Sequence, residues 1–392
     1  MGAEEVKAEA EAVQVGGATA AVPGWGGLQI EQREVISRPA QILTPVASVL
    51  GALVVGTIPL IALGVNPLDA YAKLFGSGSS ASFYFSELLV KATPLIFTGL
   101  AVALPLKAGL WNIGGEGQLH MGAFAATGVA LMAINTEAGL PAPVLLGVMA
   151  LAGALAGGAW AFIPAFFKAK LGVNEIITTL LMNIIAIFWV NYLVIGPWRD
   201  PFGFNFPLTE MFTQAGWLPR FWNTRLHAGL FIAIAAAVLI YFVFLKTRFG
   251  YEIKMVGANP TVAELGGISK VKIILIIMVI GGALAALAGF GEVSGIHRRL
   301  RPGISPNYGF TGIVVALLGK GHPLGVILSA VFFGMLLIGG SSMQLSSFDS
   351  IFAAGETVQV PVAIADIIQA LVIFFIIGGE FLARYRIRWR RS

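Results

Sequence analysis

Between two apolar runs the sequence reads KAGLWNIGGEGQLHMG, residues 107–122, which sets Asn112, Glu116, Gln118 and His120 among glycines 109, 114, 115, 117 and 122. An ionised carboxylate at bilayer depth costs on the order of 3 kcal/mol. Clustered glycines let a backbone unwind or approach another helix closely. Together they describe an irregular or re-entrant stretch, tolerated only where it is buried in protein or lines a cavity. An ordinary hairpin wetted by solvent is the competing reading. A second run, GVNEIITTLLMN at Gly172–Asn183, opens with a good helix cap in Asn174 and a dipole-favoured Glu175. Thr179 and Asn183 follow four residues apart, on one helix face. Capping accounts for Asn174, whereas Asn183 within an apolar span needs a partner helix or a wet cavity. A third stretch, Gly289–Gly325, carries Glu292, Arg298, Arg299, Arg301, Tyr308 and Phe310 among many glycines. Its arginines could hold an anionic head group or the carboxylates of a docked protein. Its aromatics, beside glycine-broken helix ends, could stack a planar ring. An exposed loop with interfacial anchors is the plainer alternative.

Other chemistry is missing from the chain. There is no cysteine, so thiol catalysis, disulfides and thiolate metal sites are excluded. The four histidines are scattered and form no metal cluster. No G-x-x-x-x-G-K-[ST] occurs, since Gly319–Lys320 lacks both the first glycine and the following hydroxyl. The reading is therefore of a protein with no catalytic residues, no metal and no cofactor of its own.

The elements that must position these residues are membrane helices. Of 392 residues 57% are hydrophobic and 11% charged, too few charges to cover a soluble globule of this size. Apolar runs of roughly spanning length occur at Ile42–Val65, Phe85–Leu106, Gln118–Ile134, Val144–Phe167, Glu175–Ile195, Leu226–Leu245, Ile273–Phe290, Phe310–Leu318, Leu324–Ile338 and Val362–Ile377. The expected fold is an all-α polytopic membrane protein of about ten transmembrane helices, some broken or re-entrant, with both termini cytoplasmic. The short eighth run reads as half of a broken helix. Alternating these spans from a cytoplasmic start puts most basic residues inside, among them Lys107, Lys168, Lys170, Lys246, Lys320 and the arginines after Arg384. Arg298, Arg299 and Arg301 fall outside, against the rule. Residues 1–38, acidic and without an apolar run, read as a flexible cytoplasmic tail, 39–383 as the transmembrane domain, and 384–392 as a basic cytoplasmic tail. The outside segment Gly196–Arg225 is rich in aromatics, which suits an interfacial belt, with a docking surface for a partner as the alternative.

The longest inside loop, Lys246–Lys272, contains a compact helix signal. Asn259 would cap it, Pro260 would take its first position, and Gly266–Gly267 would end it. Such a knob is either a connector or a docking element for a soluble partner.

Four runs in order and spacing carry a resemblance: NIGGEGQ at Asn112–Gln118, GVNEIITTLLMN, FGYEIKMVGANPTVAELGGIS, and YGFTGIVVALLGKGHPLG. The chain resembles the permease subunits of ATP-binding-cassette importers of the branched-chain amino acid, ribose and simple-sugar group, and within it the nucleoside permeases. The resemblance covers Ile42 to Arg384 and leaves out the acidic start. It implies import by alternating access. Gly250, Gly257, Asn259, Ala263, Glu264 and Gly266 would form the segment that couples to an ATPase subunit, and ATP and Mg would be used by that ATPase. The implied partners are a second permease, an ATP-binding-cassette ATPase and an extracytoplasmic substrate-binding protein, in the cell inner membrane and without nucleic acid. Asn112, Glu116, Gln118, Thr179, Asn183, Tyr308 and Phe310 would line the substrate path, and Arg298, Arg299 and Arg301 would face the binding protein. A ribose-type sugar is the alternative cargo. An ion-coupled secondary transporter is the alternative mechanism, though it would want more intramembrane carboxylates than Glu116 and Asp366 supply.

Overall fold

The computed structural model describes residues 28–32, 38–76, 81–134, 139–353 and 355–389. In chain order its helices are α1 (Arg38–Ala62), α2 (Pro67–Leu74), α3 (Ala81–Leu106), α4 (Gly115–Ile134), α5 (Ala142–Leu171), α6 (Glu175–Ile195) and α7 (Gly229–Lys246). There follow α8 (Arg248–Ala258), α9 (Pro260–Leu265), α10 (Lys270–Gly291), α11 (Tyr308–Leu318), α12 (Pro323–Leu345) and α13 (Val362–Arg384). Nine of the described helices are long and apolar enough to cross a membrane. The chain divides into two compact units, residues 1–67 with 347–392, and residues 68–346.

In the first unit α1 packs along α13. Gly51 permits the approach, because a Cβ there would lie 2.9 Å from the Phe375 ring. The strands β2 (Ser347–Asp349) and β3 (Thr357–Gln359) form a short antiparallel hairpin. A further strand pair joins β1 (Leu28–Gln32) to β4 (Tyr385–Trp389), with Leu28 opposite Trp389 and Gln32 opposite Tyr385. The stretches read as a flexible N-terminal tail and a basic C-terminal tail thus contain β1 and β4. Residues 1–27, 33–37 and 390–392 of those two expectations lie outside the described residues.

In the second unit α3 is enclosed by α7, α10, α11 and α12, and every residue from Ala92 to Pro105 is buried. Beside it α4, α5 and α10 pack closely. A Cβ on Gly157 of α5 would come 2.6 Å from the Gly282 carbonyl of α10. Between apolar helices in an apolar solvent, such van der Waals fit replaces the hydrophobic effect as the source of association. The outward face of α6, with Ile177, Leu181, Ile185 and Phe188, is exposed, as suits a lipid-facing helix.

The eighth expected span is the broken one. After α10 the chain winds through a π-helical turn, Glu292–His297, which ends at Arg298 in the left-handed region (φ 58°). It then runs without helix to Asn307 (φ 65°) before α11 begins. With 11 residues α11 is about 16 Å long, roughly half of a ~30 Å hydrocarbon core. Its tip, Tyr308, meets Lys91, ten residues inside α3. Helix α4 starts at Gly115 rather than Gln118, because the polar residues of its first turn find partners inside the protein.

Candidate functional site

The backbone of Ile113–Gly117 is held from both sides by side-chain amides and a hydroxyl. Asn112 Nδ2 donates to Gln118 Oε1 (3.0 Å) and to the Ala101 carbonyl (3.2 Å). Its Oδ1 accepts from Gln118 Nε2 (2.9 Å) and the Gly114 amide (3.2 Å). From α6, Asn183 Oδ1 accepts from the Gly117 amide (2.7 Å), and its Nδ2 donates to the Ile113 carbonyl (2.8 Å). Thr179 Oγ1 accepts from the Ile113 amide (3.3 Å) and donates to the Glu175 carbonyl (2.6 Å). An amide side chain both donates and accepts, so each can replace two water contacts at once. Asn112, Gln118, Thr179 and Asn183 are all buried. Residues 107–114 are irregular, 115–122 belong to α4, and the polar side chains from Asn112 to His120 are enclosed by protein, in line with the first of the two sequence readings.

Glu116 is buried too, at 1% exposure, and its placement explains how a carboxylate is tolerated there. It sits in the first turn of α4, and its Oε2 accepts from the Gly309 amide (2.7 Å) in the first turn of α11. Two helix N-termini thus direct their positive ends at one carboxylate. His120 Nδ1 lies 3.8 Å from Glu116 Oε1 and 2.8 Å from the Glu116 carbonyl oxygen. Position 309 must be glycine for this approach, since a Cβ would collide with the backbone nitrogen of Glu116. Glu175 has its own partners: Lys168 Nζ at 2.8 Å and the Trp111 amide at 3.5 Å.

Towards the other face a second set of polar groups surrounds the broken helix. Lys91 Nζ donates to the Tyr308 hydroxyl (3.1 Å) and lies 5.7 Å from that ring's centroid. One turn along α3, Glu87 pairs with Arg225 at 3.3 Å. Glu292 and His297 approach to 3.5 Å. The long loop between α6 and α7 braces the π turn: Arg220 donates to the carbonyls of Gly295 (2.7 and 3.1 Å) and Ile296 (3.2 Å). His227 packs on Gly295, and burial, with Arg220 and Arg225 nearby, pushes its pKa down to about 4 against the opposing pull of Glu292. Of the candidate docking arginines, Arg298 stacks over Trp217 at 3.8 Å, Arg299 is half-buried and Arg301 is exposed. Of the candidate aromatics, Tyr308 is buried and Phe310 half-buried. Sequence reasoning passed over Lys91 and Glu87 because they lie inside an otherwise apolar run and scarcely change its average.

On the lysine-rich face, α8 and α9 form the expected knob. Asn259 Oδ1 accepts from the amides of Thr261 (3.0 Å) and Val262 (3.1 Å), capping α9, and Gly267 takes φ 79° after it. Ala263 is buried, while Glu264, Gly266 and Leu265 are exposed, Leu265 at 85%. Gly250 lies close to Val243 and Phe244 at the end of α7. Gly257 lies against the carbonyl of Lys107, where a Cβ has no room. Burial, with Lys254 nearby, lowers the Lys107 pKa. A hollow of about 310 Å³ adjoins α9, lined by Glu264 and residues 267–271.

Residues 84–377 match the permease family described as branched-chain amino acid transport system, permease component. The chain belongs to this family of ATP-binding-cassette transporter permeases. It is 43% identical to the glucose ABC transporter permease protein TsgB13 of Haloferax volcanii, over 92% of this chain and 93% of that one. It is 33% identical to the guanosine ABC transporter permease protein NupP of Bacillus subtilis, over 87% and 94% of the two chains. To a second guanosine permease of the same organism, NupQ, it is 31% identical over 66% and 82%. This permease is a multi-pass membrane protein whose relatives are transport subunits.

Proposed function

We propose that this permease subunit serves an ATP-driven importer of nucleosides in the cell inner membrane and works by alternating access. The observation that carries the mechanism is a continuous series of contacts in the second unit. The exposed knob at α9 follows α8, and α8 rests through Gly257 on the Lys107–Ala108 turn. That turn leads into the braced stretch 112–118, and Glu116 of that stretch holds the tip of α11. A push on the knob by a partner ATPase, which would use ATP and Mg, has a packed route to the broken helix. In this reading Asn112, Glu116, Gln118, Thr179, Asn183, Tyr308 and Phe310 are the frame of the substrate path. Arg299 and Arg301 remain available to a substrate-binding protein. The guanosine permeases NupP and NupQ support both the cargo and a second, paralogous permease as partner.

Glucose is the second reading, favoured by the 43% identity to TsgB13. The deciding experiment is uptake of labelled guanosine, uridine, ribose and glucose by the complete transporter, with and without Glu264→Arg in this chain. ATP-dependent guanosine and uridine uptake that the substitution abolishes is the expected result. Glucose uptake alone moves the protein to the sugar reading, and uptake that survives without ATP removes the mechanism.

A further inference from the structure

Lys91 stands about 15 Å along α3 from Ala81, at the depth of the α11 tip. It is the deepest position on that helix with open surface until the far end at Leu106. Its ammonium reaches inward, because the hydroxyl that accepts from it belongs to the buried Tyr308. An ammonium has three donors, and Tyr308 takes one. Among the described residues no carboxylate lies within 4.0 Å of Nζ, and Glu87, one turn away, is paired with Arg225. A lysine this far inside a spanning helix, with donors to spare, marks a wet cavity or a ligand path. The Tyr308 ring is buried and offers the path no face.

We infer that Lys91 is a cargo-binding residue, its free N–H groups taking an oxygen acceptor of a neutral cargo, with Tyr308 as the positioning residue that aims it. The inference rests on the proposed import of a neutral, oxygen-rich cargo. It deepens that reading by naming the contact and its chemistry. That chemistry is shared by two sources, the carbonyl edge of a nucleobase and the hydroxyls of a sugar.

The test uses the whole transporter in proteoliposomes, with guanosine, uridine, ribose and glucose as separate cargoes. Cargo moved per ATP hydrolysed is read beside the ATPase rate stimulated by the loaded binding protein. Lys91→Met is expected to move at least about tenfold less cargo per ATP, the scale of one charge-assisted hydrogen bond. Its ATPase rate stays unchanged, and its melting temperature is lowered because the buried Tyr308 hydroxyl loses its donor. Combining Lys91→Met with Tyr308→Phe, which removes that hydroxyl as well, is expected to regain the melting temperature and not the transport. Lys91→Arg, which keeps the donors, retains most transport, and Tyr308→Phe gives a smaller loss of the same kind. A loss for guanosine and uridine with ribose spared assigns the base carbonyl, and a loss for every cargo assigns the sugar hydroxyls. Unchanged transport in Lys91→Met overturns the inference, as does a parallel fall in ATPase rate or a transport loss that recovers with stability in the double variant. A wild type that carries glucose and no nucleoside refutes the cargo reading alone, because the Lys91 comparison is then made on glucose.

Discussion

A carboxylate inside an apolar bundle invites a role in transport, and Glu116 was singled out from the sequence for that reason. Its surroundings assign it a structural task that can be measured. Replacing it with alanine strips the Gly309 amide of its acceptor in a buried place, a loss of about 1–3 kcal/mol, and leaves a void besides. Glutamine keeps an oxygen in the same place and loses only the attraction of the two helix ends, about 0.3–1 kcal/mol each and somewhat more when buried. Glu116→Ala is therefore expected to lower the melting temperature of the purified complex clearly and Glu116→Gln slightly, with Glu116→Gln still transporting. Transport abolished by Glu116→Gln at wild-type melting temperature would show that the charge acts on cargo or a coupling ion. The same contrast separates Glu116 from Lys91: one has its hydrogen bonds answered by the fold, and the other has donors left over.

At the scale of elements, the knob at α9 gives the most direct prediction. Leu265 is exposed on a helix whose cap and end are already satisfied, so Leu265→Asp leaves the fold alone and spoils the apolar tip. Co-purification of the ATPase is expected to weaken by about tenfold, equivalent to about 1.4 kcal/mol, with the variant's melting temperature unchanged. Full retention of the ATPase would place the docking surface elsewhere. This element was legible in the sequence because every signal in it is local: a cap, a proline at the first position and two glycines. The half-helix α11 was legible for a related reason, as an apolar run too short to span. The π turn at Glu292–His297 was not, because the carbonyls it leaves are answered by Arg220, 75 residues away. Strand β1 was missed likewise, since its pairing with β4 joins the two ends of the chain. The polar network at 112–118 was half legible. Its residue types pointed to burial, and only the fold showed which groups they bond: Asn183 the Gly117 amide, and Gln118 the Asn112 side chain.

For the whole molecule the proposed mechanism depends on which face meets the cytoplasm. In the second unit one end carries Lys107, Lys168, Lys170, Lys246, Arg248, Lys254, Lys270, Lys272 and Lys320, while the other carries Arg199, Arg220, Arg225, Arg298, Arg299 and Arg301. Several of those arginines are used by the fold: Arg220 on carbonyls, Arg225 on Glu87, Arg298 on Trp217 and Arg199 on Asn205. Folded partners do not alter how a charge is counted during insertion, so the positive bias is narrower than the lysines alone suggest. Orientation therefore merits direct measurement, and the chain is suited to it because it contains no cysteine. Phe204→Cys places a thiol on the tip of the loop between α6 and α7, where Phe204 is 92% exposed, and Leu265→Cys places one on the knob. With a membrane-impermeant maleimide on sealed right-side-out vesicles, Phe204→Cys is expected to label at once and Leu265→Cys only after the membrane is opened. The reverse pattern would put the knob outside, beyond the reach of any cytoplasmic ATPase. The contact route from α9 to α11 would then need a different driving partner, while the brace around Glu116 would stand unchanged.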